Sequence, residues 1–253
     1  MSTEKSTPHT FRSGVYLLPN LFTTLGMFWG FYAIVKAIHG DFSMAAVAII
    51  FAVFTDILDG RLARLTNTAT EFGKEYDSLT DMVSFGVAPA LLIYHAGLLQ
   101  LGRIGWMACF IYTAMIAMRL ARFNTQHMNQ DKAYFQGLAS PAAATSLATL
   151  VWFAHSFHLS GYLFSQIAWV ITMLLSMLVI SNVRYFSFKQ WTPGKKIPFI
   201  MGAGLIGVIT LISFEPMLAL FIFCYTYVLY GPLSTLWRIH QTKRQRRQQK
   251  AQS

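Results

Sequence analysis

The sequence predicts an all-α fold, a polytopic integral membrane helical bundle of about eight transmembrane helices. Three observations carry that expectation. Of the 253 residues, 55 % are apolar and only 12 % are charged, half the charge of about 25 % found in soluble domains. The apolar residues fall in runs close to the roughly 20 needed to cross a hydrocarbon core. The breaks between runs are rich in Gly, Pro, Asn and Asp, the residues that punctuate helices. Together these exclude a disordered chain, a coiled coil and an ordinary soluble domain.

In chain order, residues 1–18 form a polar segment with Glu4, Lys5, His9 and Arg12 and no small-residue cleavage site. It does not read as a signal peptide. Spans are then expected at 20–38, 43–65, 73–96, 102–123, 138–156, 160–183, 197–214 and 216–237. The chain divides into the segment 1–18, a membrane domain 19–190, two further helices within 191–237 and a polybasic tail 238–253. With eight spans and both termini on one side, eighteen of the twenty Lys and Arg fall on that side, leaving Lys36 and Arg103 opposite. The positive-inside bias therefore makes both termini cytoplasmic. The net charge of +10 is spread over these loops and the tail, so membrane lipids are the expected partners and nucleic acid is not. Cys109 and Cys224 sit inside apolar runs and imply neither a disulfide framework nor a thiolate metal site.

Six of the ten acids lie between positions 56 and 81. Asp56 and Asp59 share one face of the second expected helix with Gly60 and Ala63, and Asp77 and Asp81 share one face of the third with Gly73 and Ser84. Ionised carboxylates within a membrane helix cost several kcal/mol unless paired or hydrated. Four facing one another repel strongly. Hard divalent cations, Mg²⁺ or Mn²⁺, remove that repulsion and suit all-oxygen ligands, and two ions about 4 Å apart would use all four. Gly60 and Ala63 lack bulk, so a large ligand can approach. Arg64, one turn beyond Gly60, is suited either to pair with a phosphate or to brace a carboxylate. The combination fits a diphosphate-bearing ligand at the membrane–water boundary, although small residues on membrane helices also serve simply as packing contacts.

Asp56-x2-Asp59-Gly60-x2-Ala63-Arg64-x8-Gly73-x3-Asp77-x3-Asp81 resembles the complete signature of the CDP-alcohol phosphotransferases, with every position filled. The resemblance implies a six-helix core, here followed by two C-terminal helices, a homodimer, and transfer of a phosphatidyl-type group from a CDP-linked donor to an alcohol with release of CMP. It also implies that Asp56, Asp59 and Asp77 hold metal, that Asp81 completes a second site and acts as general base, and that two Mg²⁺ or Mn²⁺ ions are used. Pro19-Asn20-Leu-Phe-Thr23 is similar to the family element that meets the cytidine diphosphate. The implied donor pocket for CDP-diacylglycerol comprises Asn20, Thr23, Gly60, Ala63, Arg64 and Thr70. For Thr70, a helix-start hydroxyl is an equal alternative.

Three further stretches are similar to those of the family's membrane-embedded phosphatidylserine synthases: the run from Asp77 to Ala90, Arg119-Leu-Ala-Arg122-Phe-Asn124, and Phe135-Gln-Gly-Leu-Ala-Ser-Pro141. In the last, Ala139 stands where that subfamily usually has Pro. This resemblance implies L-serine as acceptor, with Arg119 and Arg122 as candidates for its carboxylate or for a lipid phosphate, and Ser84, Asn124 and Ser140 as candidate contacts to the amino acid. The same chemistry with inositol, glycerol 3-phosphate or choline is the closest alternative. A cation transporter would need polar groups continuing across the membrane, and the expected outer connections offer only Lys36, Asp41, Arg103 and Glu215. The resemblance and the absence of a recognisable targeting segment imply a bacterial inner membrane with the site facing the cytoplasm.

Overall fold

The computed structural model describes residues 13–65, 70–125, 134–186 and 214–252. Its elements are α1 (Ser13–Ile38), α2 (Phe42–Leu65), α3 (Glu71–Asp81), a π-helical segment (Met82–Val87), α4 (Ala88–Ala96), a 3₁₀ turn (Leu98–Leu101) and α5 (Arg103–Thr125). There follow β1 (Tyr134–Gln136), α6 (Ser140–Ser156), α7 (Tyr162–Ile180), β2 (Arg184–Phe186) and α8 (Pro216–Gln252). Among the described residues, six helices are long and apolar enough to cross a membrane: 20–38, 42–62, 71–96, 103–125, 162–180 and 216–235. The expected fifth span is α6, whose 17 residues stand at the short end of the range for a crossing, about 17–25 residues. The expected span 197–214 lies almost wholly outside the described residues.

Local chemistry sets the boundaries. Gly40 (φ +77°) ends the α1 turn, and Asp41 accepts the Met44 backbone N–H at 3.3 Å, an N-cap for α2. Lys36 donates to the same carboxylate at 3.0 Å. That bond holds the Asp41 carboxyl below its ordinary value. Thr70 caps α3, its hydroxyl accepting the Gly73 N–H at 3.0 Å.

The expected single helix 73–96 is interrupted by the π-helical turn that follows Asp81 directly. Pro89 has no N–H to give to the carbonyl of Phe85, four residues back. The Tyr112 hydroxyl donates to that carbonyl at 3.0 Å instead. On its other side the π segment meets α1, where Ser84 donates to the Gly26 carbonyl at 3.1 Å. A Cβ on Gly30 would lie 2.4 Å from the Ser84 oxygen, so this crossing requires glycine.

α6 is the central helix. It is built largely of Ala, Ser and Thr and buries ten residues. Thr145, Ser146 and Thr149 donate to carbonyls four residues back at 2.7–2.8 Å, which satisfies their hydroxyls while small side chains let neighbouring helices close in. β1 and β2 form an antiparallel pair with Phe135 opposite Tyr185, a short ribbon not expected from the sequence.

Candidate active site

The second and third expected helices, α2 and α3, bring their acids together. One carboxylate oxygen each from Asp56, Asp59 and Asp77 lies within 4.8 Å of the others. Asp59 is 6 % exposed. Asp81, one turn after Asp77, stands within electrostatic range of all three and of Arg119. The donor set is oxygen only, and three carboxylates this close repel unless a cation lies among them. It fits a hard divalent ion such as Mg²⁺ or Mn²⁺.

α1 supplies one wall. Thr23, buried, hydrogen-bonds the Asp59 carboxylate. Asn20 reaches the start of α3, its Oδ1 lying 3.4 Å from where a Cβ on Gly73 would stand. The Thr24 and Tyr76 hydroxyls pair at 3.0 Å, joining α1 to α3 one turn away. Gly60 follows Asp59 on α2 and is half-buried. Ala63 and Arg64 fall on the last turn of α2, their side chains outside those described. Thr70 uses its hydroxyl oxygen as the α3 cap.

The acceptor candidates divide in two. Arg119 enters from α5 and donates from Nη1 to the Ser140 hydroxyl at 2.8 Å, at the start of α6. Its Nε is buried with no hydrogen-bond partner among the described residues. Arg119 and Ser140 therefore stand together on the Asp81 side of the cluster. Arg122 instead donates to Asn182 Oδ1 at 3.2 Å, beyond the end of α7. Asn124 donates to the Ser78 hydroxyl at 2.9 Å, and Lys74 donates to the Asn124 carbonyl at 3.3 Å; both ties join α5 to α3. Ser84 is fully buried and commits its proton to α1.

Two participants were not singled out in the sequence. Ser78 lies between Asp77 and Asp81 and had a signal in that position alone. Tyr227 of α8 lies within electrostatic range of Arg119, more than a hundred residues away in the chain, with no local pattern to mark it. A separate pocket lined by Phe42, Ala154, His155, His158 and Phe164 contains none of the aspartates.

Comparison with known proteins identifies the family. Residues 16–180 match the family model described as CDP-alcohol phosphatidyltransferase. A CDP-diacylglycerol–serine O-phosphatidyltransferase of Helicobacter pylori is 36 % identical over 223 residues, covering 88 % of this chain and 92 % of the relative. One from Mycobacterium tuberculosis is 32 % identical over 229 residues, covering 86 % and 77 %. An archaetidylserine synthase of Methanothermobacter thermautotrophicus is 35 % identical over 170 residues, covering 66 % and 69 %. The matched segment runs from α1 through α7 and so contains all four aspartates with the helices that bring them together: this chain belongs to the CDP-alcohol phosphatidyltransferase family.

Proposed function

We propose that this chain is a phosphatidylserine synthase of phospholipid biosynthesis, moving the phosphatidyl group of CDP-diacylglycerol to the hydroxyl of L-serine and releasing CMP. The observation that carries the reading is the convergence of Asp56, Asp59 and Asp77 to within 4.8 Å, with Asp81 beside them. The names of the relatives support serine as acceptor. Asp56, Asp59 and Asp77 would hold one Mg²⁺ or Mn²⁺, and Asp81 would join Asp56 and Asp77 around a second. Bound there, the ions neutralise the diphosphate and polarise the phosphorus nearer the lipid.

The residues of the chain do the rest. Asn20 and Thr23 of α1 with Gly60, Ala63 and Arg64 of α2 receive the CDP moiety, and Thr70, the cap of α3, is the remaining candidate for it. Arg119 and Ser140 orient serine on the Asp81 side, the guanidinium pairing with the serine carboxylate. Arg122, Asn124 and Ser84 hold the surrounding helices. Asp81 accepts the hydroxyl proton as the new P–O bond forms. The bond from phosphorus to the CMP oxygen breaks, and its electron pair leaves with CMP. One in-line displacement implies inversion at phosphorus and no covalent enzyme intermediate. The sequence lacks the His-x-Lys-x4-Asp pair that a phosphohistidine route of the unrelated soluble synthases would need.

The enzyme would act as a homodimer in a bacterial inner membrane, with both termini and the site in the cytoplasm. The test is CMP release by purified protein with labelled CDP-diacylglycerol, Mg²⁺ or Mn²⁺, and a panel of serine, inositol, glycerol 3-phosphate and choline. Serine alone should support turnover. Turnover only with another alcohol would keep the chemistry and discard the acceptor.

A further inference from the structure

α3 carries Asp77 and Asp81, yet burial does little to hold it. Of its 11 residues only Thr80 is buried, and Glu71, Phe72, Lys74, Glu75 and Leu79 are exposed. Hydrogen bonds hold it from two flanks. On one, the Thr24 hydroxyl donates to the Asn20 carbonyl at 2.7 Å, so in its 3.0 Å pair with Tyr76 the phenol is the donor. On the other, the Ser78 hydroxyl donates to the Lys74 carbonyl at 3.0 Å and accepts from Asn124 Nδ2 at 2.9 Å. Lys74 Nζ closes the ring by donating to the Asn124 carbonyl at 3.3 Å.

Tyr76 and Ser78 are the two neighbours of Asp77 in the chain. With about 3.6 residues per turn they leave the helix roughly 200° apart, with Asp77 between them. A tie to α1 on one side and to α5 on the other therefore fixes the rotation of α3 about its own axis. That rotation decides whether Asp77 meets Asp56 and Asp59. Without a cation the three carboxylates, whose oxygens lie within 4.8 Å, push α3 away from α2. The ties oppose that push. When one is lost, a smaller fraction of molecules holds the three oxygens together, and the apparent affinity for an ion falls by that fraction.

We propose that Ser78 and Asn124, with Tyr76 on the opposite flank, are positioning residues for the metal site: they lock the rotation of α3 and keep Asp77 beside Asp56 and Asp59 before an ion arrives. This rests on the reading of the aspartates as metal ligands, and Asn124 then serves α3 rather than the amino-acid acceptor.

The experiment measures Mn²⁺ binding to wild type, Ser78→Ala, Asn124→Ala, the double variant and Tyr76→Phe in detergent, from the loss of the EPR signal of the free ion. Thermal melts and the acceptor KM at saturating Mn²⁺ are recorded alongside. Alanine is a better helix former than serine, and Tyr76→Phe keeps the ring that stacks on Phe72, so both variants retain α3. Each single variant should weaken the apparent Mn²⁺ affinity about fivefold, the worth of one hydrogen bond, with the acceptor KM within about twofold of wild type. The double variant should bind no more weakly than Ser78→Ala, because Ser78 and Asn124 share one bond. Mn²⁺ affinity within about twofold of wild type in Ser78→Ala or in Tyr76→Phe would overturn the proposal, even with a lowered thermal midpoint. So would a raised acceptor KM as the sole effect of Asn124→Ala, or full additivity in the double variant. Wild type that binds no Mn²⁺ would defeat the reading of the aspartates themselves, before any variant is compared.

Discussion

Asp56, Asp59, Asp77 and Asp81 create a conflict between stability and function that single substitutions expose. Without a cation their mutual repulsion and their place within the spans weigh against the folded state. Asp56→Asn keeps the shape and removes one negative charge. In chelator-treated detergent solution its thermal midpoint should therefore lie at or above that of wild type. Adding millimolar Mn²⁺ should raise the wild-type midpoint, because an ion bound only by the folded state stabilises it, and should raise that of Asp56→Asn much less. Paired thermal melts with and without the ion check this, and destabilisation of the chelated protein by Asp56→Asn would contradict it. Asp81→Asn removes both the base and a proposed ligand of the second ion. It should lower CMP release by at least about 10²-fold, the usual worth of a positioned base. A rate within about threefold of wild type would remove Asp81 from the base position.

Helices carry these side chains, and the path after Asp81 shows how the elements aim them. The π turn Met82–Val87 re-registers the helix directly below the last aspartate, held by Tyr112 on the Phe85 carbonyl and Ser84 on the Gly26 carbonyl. Tyr112→Phe leaves the Phe85 carbonyl without that donor. It should cost about 1 kcal/mol, typical of hydrogen bonds between membrane helices, read as a lowered thermal midpoint and reduced kcat. An unaltered kcat would show that the turn does not position Asp81. The four aspartates were legible in the sequence because spacings of three and four residues place side chains on one helix face, and the apolar runs located most of the helices. Pro89 was visible, but its consequence was not: whether a proline kinks, breaks or shifts a helix depends on which distant group meets the freed carbonyl, here Tyr112 from α5. The same limit hid the β1–β2 ribbon and Tyr227. Thr70 was ambiguous for a related reason, since a cap and a ligand contact call for the same hydroxyl. Thr70→Ala should cost about 1 kcal/mol of stability as a lost cap; a donor KM raised beyond about threefold would add the ligand role.

Across the whole molecule the two ends of the bundle are chemically distinct. At one end are the aspartates, Arg119 on Ser140 and Arg122 on Asn182. At the other are the Lys36–Asp41 pair, the Phe42–His155 ring contact and Ser165 on the Gly97 carbonyl. α8 runs antiparallel to α6: Phe221 meets Phe153, whereas Tyr225, one turn later, meets the Ser146 carbonyl, nearer the start of α6. Since α6 begins at the aspartate end, α8 travels towards that end and continues unbroken to Gln252. The basic run from Arg238 to Lys250 therefore extends from the site end of the bundle. Basic segments stay on the cytoplasmic side, so the tail and the site should share that side while Ser160, exposed between α6 and α7, faces out. In a variant with Cys109 and Cys224 replaced by Ala, a single cysteine at Ser160 should react with a membrane-impermeant maleimide in intact spheroplasts. A single cysteine at Ser253 should react only after permeabilisation. Labelling of both positions in intact spheroplasts would separate the tail from the cytoplasm, and labelling of Ser253 alone would place the site on the outer face.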